Sequence, residues 1–181
     1  MIKKLNVPYY SQYRDVKDEY WKPRSCAVVC VKMVMDYLEM GHQNLDDLIK
    51  EGIEIGGLNE NKDWIHEKLV QLFRNHGLGA YRQEFKTATQ KFEEKFLQDG
   101  IEKIIKMLEN DKPVLVSAIK KWNEENKFHM IVLTGFEAQE NGDLKGFYYN
   151  DSDYNDEEGK DLFVGIDTFK KYWRRMAIFV E

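Results

Sequence analysis

The sequence predicts an α+β protein, with helices in the first half of the chain packed on an antiparallel sheet built from the second. Two observations carry this. Apolar residues recur at helical spacing between positions 26 and 110, and apolar, β-branched and aromatic runs bounded by turn signals fill positions 113–180. The chain has 181 residues, 43% of them hydrophobic, enough for a core of ordinary size, so one domain over residues 1–181 is expected.

The elements follow in order. Residues 5–13 (LNVPYYSQY) read as extended and aromatic, and a loop runs to Ser25 through Trp21 and Pro23. A helix is predicted over residues 26–38, where Val29, Met33 and Tyr37 form one stripe and Cys30, Val34 and Leu38 the next. Ser25 is its expected N-cap and Gly41 its expected stop. A short helix over 45–50 takes Asn44 as cap. Another covers 61–75, and one or two more cover 92–110 with a break near Asp99-Gly100. Residues 113–119 (PVLVSAI) and 128–136 (FHMIVLTGF) read as strands. Asn141-Gly142-Asp143 is a turn, and 145–150 (KGFYYN) the return strand. A helix over 166–173 and a strand over 176–180 close the pattern.

Composition excludes several functions. The formal charge is −5 with acids and bases interspersed, which disfavours nucleic acid as a partner, because phosphate contacts need a basic face. The one basic cluster, Lys170, Lys171, Arg174 and Arg175, reads as the solvated side of an amphipathic helix. No apolar run reaches about 18 residues, so no membrane span is expected. Residues 1–8 lack the apolar core of a signal peptide, which implies a cytoplasmic protein, or a secreted one whose signal has been removed. The two cysteines, Cys26 and Cys30, stand four apart on a helix, where a disulfide would be strained, so both are expected as thiols.

Cys26 is the chemically special one of the two. It falls in the first turn of its helix, where the partial positive charge of the dipole stabilises a thiolate. Cys30, one turn on, reads as a small core residue. A thiolate nucleophile needs a base, and the base an orienting partner. His42 and His76 flank helix-ending glycines, and His66 sits among charged residues of a mid-chain helix. His129 opens a strongly apolar strand, where an imidazole must be paired or satisfied. The following hairpin brings Asp151 beside it, with Asp153 as a rival. Gln12, upstream, is a candidate amide donor to an oxyanion, together with the Cys26 N–H. Two readings compete with catalysis at these positions. Cys26, Cys30 and a histidine would make a zinc site of unusual spacing. The acidic loop DSDYNDEEGKD has the oxygen density of a calcium loop but not EF-hand spacing.

LNVPYYSQ, a tryptophan-bearing loop, SC and an apolar helix ending in DYL resemble the opening of family 39-like cysteine peptidases, the bacteriocin-processing type. FHMIVLTGF resembles that group's histidine strand and FYYNDSD its aspartate strand. The resemblance implies a papain-like fold. It also implies a thiol hydrolase of peptide or related amide bonds that works through an acyl-thioester and needs no cofactor or metal. It makes Cys26 the nucleophile, His129 the base and acid, Asp151 the orienter and Gln12 the oxyanion donor. A peptide or protein is the implied partner. No ATP-binding or membrane region accompanies these motifs, so a free-standing domain is expected rather than an exporter. The chain departs from the group in carrying Ala27-Val28 after the cysteine, in place of glycine and proline, and Ser152 in place of proline after the aspartate. The alternative on the same fold is an inactive peptide-binding module, with Tyr9, Tyr10, Tyr13, Trp21 and Trp122 as its groove.

Overall fold

A computed structural model describes residues 1–41 and 43–181. His42, expected at an exposed helix end, lies outside the described residues. Helices α1 (Cys26–Tyr37), α2 (Leu45–Glu54), α3 (His66–Asn75), α4 (Glu93–Glu109) and α5 (Ile166–Tyr172) surround one antiparallel sheet. Its strands are β1 (Ile2–Lys4), β2 (Ala80–Glu84), β3 (Val114–Ile119), β4 (Phe128–Ala138), β5 (Leu144–Asn150), β6 (Leu162–Gly165) and β7 (Trp173–Val180). The order is β2-β7-β3-β4-β5-β6, and β1 pairs with the far half of β4. The predicted α+β class and the predicted strands over 113–150 are therefore present. No helix among the described residues is long and apolar enough to cross a membrane.

The sheet is covered on both faces. Lys103 of α4 sits over the rings of Tyr81 and Phe179, whereas Arg82, the next residue of β2, pairs with Glu67 of α3. Successive side chains of a strand point to opposite faces. So α3 lies on one side and α4 on the other, with α1 and α2 beside α3. α1 is buried on nearly every side, from Ala27 to Met35, and supplies the centre of the core. Its single buried lysine, Lys32, satisfies its charge on Asp36 within the same helix and donates to the Gly41 carbonyl at 2.9 Å.

Several local expectations change. Ser25 precedes α1, but its side chain makes no cap bond, and its Oγ is buried without a partner. Asn44 does cap α2, accepting from the Asp47 N–H at 3.0 Å, and α2 runs on to Glu54. Residues 61–65 are a loop instead of the first turn of α3, tied by the Leu58–Trp64 bridge. The break foreseen at Asp99-Gly100 does not occur: α4 is continuous over 17 residues. Gly100 is there for space. A Cβ at that position would stand 2.6 Å from Trp173 and 2.7 Å from Phe85, so the helix lies against these two rings only because it lacks a side chain there. The last helix ends at Tyr172, and β7 begins at Trp173. Arg174 and Arg175 therefore belong to a strand, where Arg175 adopts φ 56°, and the expected solvated helix face of four basic residues does not exist.

Gly100→Leu should force Trp173 and Phe85 apart. The expected loss is about 1–3 kcal/mol despite the gain in helix propensity, read as a lowered midpoint in denaturant unfolding.

Candidate active site

Cys26 opens α1, so its thiol sits at the positive end of a helix whose first N–H groups have no intrahelical partner. His129 is the second residue of β4, and the β4–β5 pairing brings Asn150 opposite Val132, which carries Asp151 to the histidine. The His129 Nε2–H donates to Asp151 Oδ1 at 2.6 Å, with both side chains almost fully buried. The ring's other nitrogen, Nδ1, is thereby left for Cys26, on which the imidazole acts through its charge and a side-chain hydrogen bond. Cys26 and His129 face one cleft of about 800 Å³, between the α1–α3 side and the β3–β4 edge.

The electrostatics favour an ion pair. Burial alone pushes the Cys26 thiol up, but the imidazolium beside it and the Met130 main-chain amide outweigh burial and leave it below the ordinary thiol value. Burial pushes His129 down, whereas Cys26 and Asp151 drive it up, to about 10. Asp151 is held low despite its burial, first by the His129 charge and then by hydrogen bonds from His129 and Asp153. Cys30 behaves oppositely. It is buried without a compensating cation, its thiol rises well above the ordinary value, and it donates to the Met130 carbonyl at 3.3 Å.

Asp153 is not the partner of His129. Its own backbone N–H donates to Asp151 Oδ1 at 2.9 Å. Its carboxylate accepts from Tyr13 Oη at 2.8 Å and pairs with Lys120 at 2.6 Å. Gln12 joins this second layer. Its Oε1 accepts from Ser152 Oγ at 3.0 Å, its Nε2 reaches Asp153 at 3.4 Å, and its side chain does not line the cleft. With Asp151 and Asp153 so engaged, the acidic loop offers no open oxygen cage. Among the described residues, no three His, Cys, Asp or Glu side chains are placed to hold a metal. His76 bonds Glu51 at 2.8 Å, away from the cleft.

The profile of the Peptidase_C39 like family matches residues 4–178. The chain belongs to that family. Solved structures agree on the fold. A C39-like peptidase from Bacillus anthracis superposes with TM-score 0.67 at 16% identity, over 100% of this chain and 98% of that one. A double glycine motif protease from an AMS/PCAT transporter, in complex with the leader peptide, gives 0.62 at 17%, over 98% and 93%. The peptidase domain of Streptococcus ComA, a bifunctional ABC transporter of a quorum-sensing pathway, gives 0.57 at 14%, over 92% and 95%. No curated protein sequence matches. Family and fold are those of cysteine peptidases, as the sequence motifs implied.

Of the five aromatic residues foreseen as a groove, only Trp21 reaches the cleft region, where it packs against Trp64 with ring centroids 6.0 Å apart; the other four are engaged elsewhere. Tyr9 is buried, Tyr10 bonds Asp36, Tyr13 bonds Asp153, and Trp122 bonds Tyr149. The aromatic residues that do line the cleft, Trp64 and Phe128, were not singled out by sequence as site residues, nor was Ser117, and Arg174 was read as part of a solvated helix face. Phe128 carried a signal in hindsight: it is the residue next to His129.

Asp151→Asn keeps the hydrogen-bond geometry but removes the charge. The His129 pKa should fall in an NMR titration, because the carboxylate that favours the imidazolium is gone, whereas Asp153→Asn should move it much less.

Proposed function

We propose that the protein is a cysteine peptidase of one domain, in which Cys26 attacks a peptide carbonyl. The observation that carries this reading is the orientation of His129. Asp151 occupies Nε2, which leaves Nδ1 as the nitrogen for the Cys26 thiol, and both Cys26 and His129 line the cleft. The thiolate adds to the carbonyl carbon, and the carbonyl electrons move to oxygen. The imidazolium then donates its Nδ1 proton to the leaving amine as the C–N bond breaks, leaving an acyl-thioester on Cys26. Water attacks the thioester with the now neutral imidazole as base. The carboxylic acid leaves and the thiolate–imidazolium pair is restored. Asp151 keeps the ring in place and stabilises its positive charge.

The oxyanion donors in this proposal are the Cys26 N–H and the Gln12 amide. Nε2 of Gln12 carries two hydrogens, of which Asp153 takes one at a long 3.4 Å. Peptide is the favoured substrate class because a structure of the same fold is held with a leader peptide. One observation favours a second reading, a module that holds peptide without cutting it: the Gln12 side chain is engaged by Ser152 and Asp153 and is not among the residues lining the cleft.

The pH profile of Cys26 alkylation separates the two. A lowered thiol pKa means that the thiolate, and so the rate, is lost only as pH falls through that lowered value. Cys26 should therefore alkylate rapidly below pH of about 8.5, the free-thiol value. His129→Ala should shift the profile upward, and Cys30 should stay unmodified. Slow alkylation of Cys26 in the folded protein would leave the binding module standing. In a peptide-cleavage assay, Gln12→Ala should lower kcat by about 10²–10³ with a much smaller change in KM.

A further inference from the structure

The cleft beside Cys26 is cationic in a chain whose net charge is −5. Arg24, Lys62, Lys127 and Arg174 line it, against a single carboxylate, Asp63. None of the four cations lies within ion-pair distance of a carboxylate among the described residues, whereas Arg82, Arg175, Lys120 and Lys171 nearby are all paired. Arg174 is the innermost. It is half-buried, its guanidinium stacks on the Phe128 ring at 3.3 Å, and burial lowers its affinity for its own proton. The one carboxylate whose field reaches it, Glu84, is already engaged by Arg82. His66, on the same wall, is held toward its neutral form first by burial and then by Arg82 and Arg174, so it adds no competing charge. Ser117, buried in β3 opposite Met130, brings a hydroxyl to the same wall.

A partly desolvated guanidinium with no carboxylate is an unfavourable arrangement unless a ligand completes it, because a planar fork of N–H donors is matched by two oxygens. We propose that this cleft takes substrates bearing a carboxylate close to the bond attacked by Cys26, gripped by Arg174 and drawn in by Lys62, Lys127 and Arg24. The carboxylate is either an acidic side chain or the free C-terminus of a peptide. This inference rests on the reading of Cys26 as the nucleophile and adds the charge that its substrate carries.

Matched alkylating reagents test it on the intact protein. In each, the thiolate displaces chloride from a chloroacetyl carbon, so the rate at Cys26 reads how well the rest of the reagent is held. N-chloroacetylglycine against its amide tests a terminal carboxylate. N-chloroacetylglutamate α-amide against N-chloroacetylglutamine α-amide tests an acidic side chain. At low ionic strength the charged member of at least one pair should react about 10-fold faster than its neutral partner, and salt should erode the ratio. Which pair shows the preference identifies the source of the carboxylate. Arg174→Gln should lower the ratio, and so should the double change Lys62→Gln with Lys127→Gln on exposed side chains, in case the first variant does not fold. Lys106→Gln, on α4 across the sheet, should leave it unchanged. Any attraction owed to the His129 imidazolium is common to all these proteins. A ratio near one in the unaltered protein, or one that neither set of changes lowers, overturns the proposal. The N-acetyl counterparts, titrated by NMR into Cys26→Ala, read the same preference without the thiol. Slow alkylation with preferential binding of the anions would sink only the nucleophile. Fast alkylation with no preference would sink only the carboxylate site, and equal binding of the charged and neutral ligands would sink it as well.

Discussion

His129 and Asp151 form an ion pair whose side chains are only 5% and 2% exposed, and much of the surrounding structure serves to make that burial tolerable. Removing two charges from water is compensated only when the geometry is good and the remaining donors and acceptors are satisfied; breaking one side of such a pair costs about 3–5 kcal/mol. Here Asp151 Oδ1 accepts from both the imidazole and the Asp153 N–H. The Asp151 N–H bonds the Gly159 carbonyl at 2.8 Å, and its own carbonyl accepts from Tyr9 Oη at 3.2 Å. Gly159 has to be glycine for this: a Cβ there would stand 2.1 Å from the Asp151 oxygen and 2.3 Å from the Tyr9 hydroxyl. The acidic loop after β5 is therefore folded inward over the pair, and the N-terminal segment around Tyr9, Gln12 and Tyr13 is its lid.

The same economy of contacts separates the two thiols. Cys26 and Cys30 lie one turn apart on α1 and both approach the main chain of Met130. Its N–H side helps hold Cys26 as thiolate, and its carbonyl accepts the proton end of Cys30. The main chain of one residue thus acts with opposite sign on two chemically identical groups. The helix dipole adds to the difference, because it falls off within the first turn and so favours Cys26 alone.

Cys26, His129 and Asp151 were legible in the sequence because each sits where local pattern is strongest: a helix start, the first residues of an apolar strand, and the end of the paired strand. The strands of residues 113–150 were legible for the same reason. β2 (AYRQE) and β6 (LFVG) were not, since the first is mostly polar and the second too short to show a period. Gly100 misled because glycine marks breaks and close approaches alike, and only the rings of Trp173 and Phe85 tell them apart. Arg174 misled more deeply. Its neighbours 166–173 do carry a helical pattern, and nothing local shows that the chain switches to a strand at Trp173 to pair with β3 and β2. The cleft wall could not be read at all, for it draws on five separate stretches of chain that meet only after folding.

The cationic wall also bears on why the orienting residue is an aspartate. Unpaired cations at the cleft favour a thiolate at Cys26 but oppose the imidazolium beside it, so alone they would tend to leave the pair with one charge. A neutral amide at position 151 would orient the ring without offsetting this. A carboxylate in contact with the ring is worth about 4 kcal/mol at an effective dielectric of about 20 and a separation of about 4 Å. Solvent-exposed cations such as Arg24, Lys62 and Lys127 act through water and salt, whose screening length is about 8 Å at physiological ionic strength. The contact charge wins over the distant ones. Asp151 thus allows the cleft to be positive enough to attract an anionic ligand while His129 keeps the proton that the proposed reaction must deliver to the leaving amine.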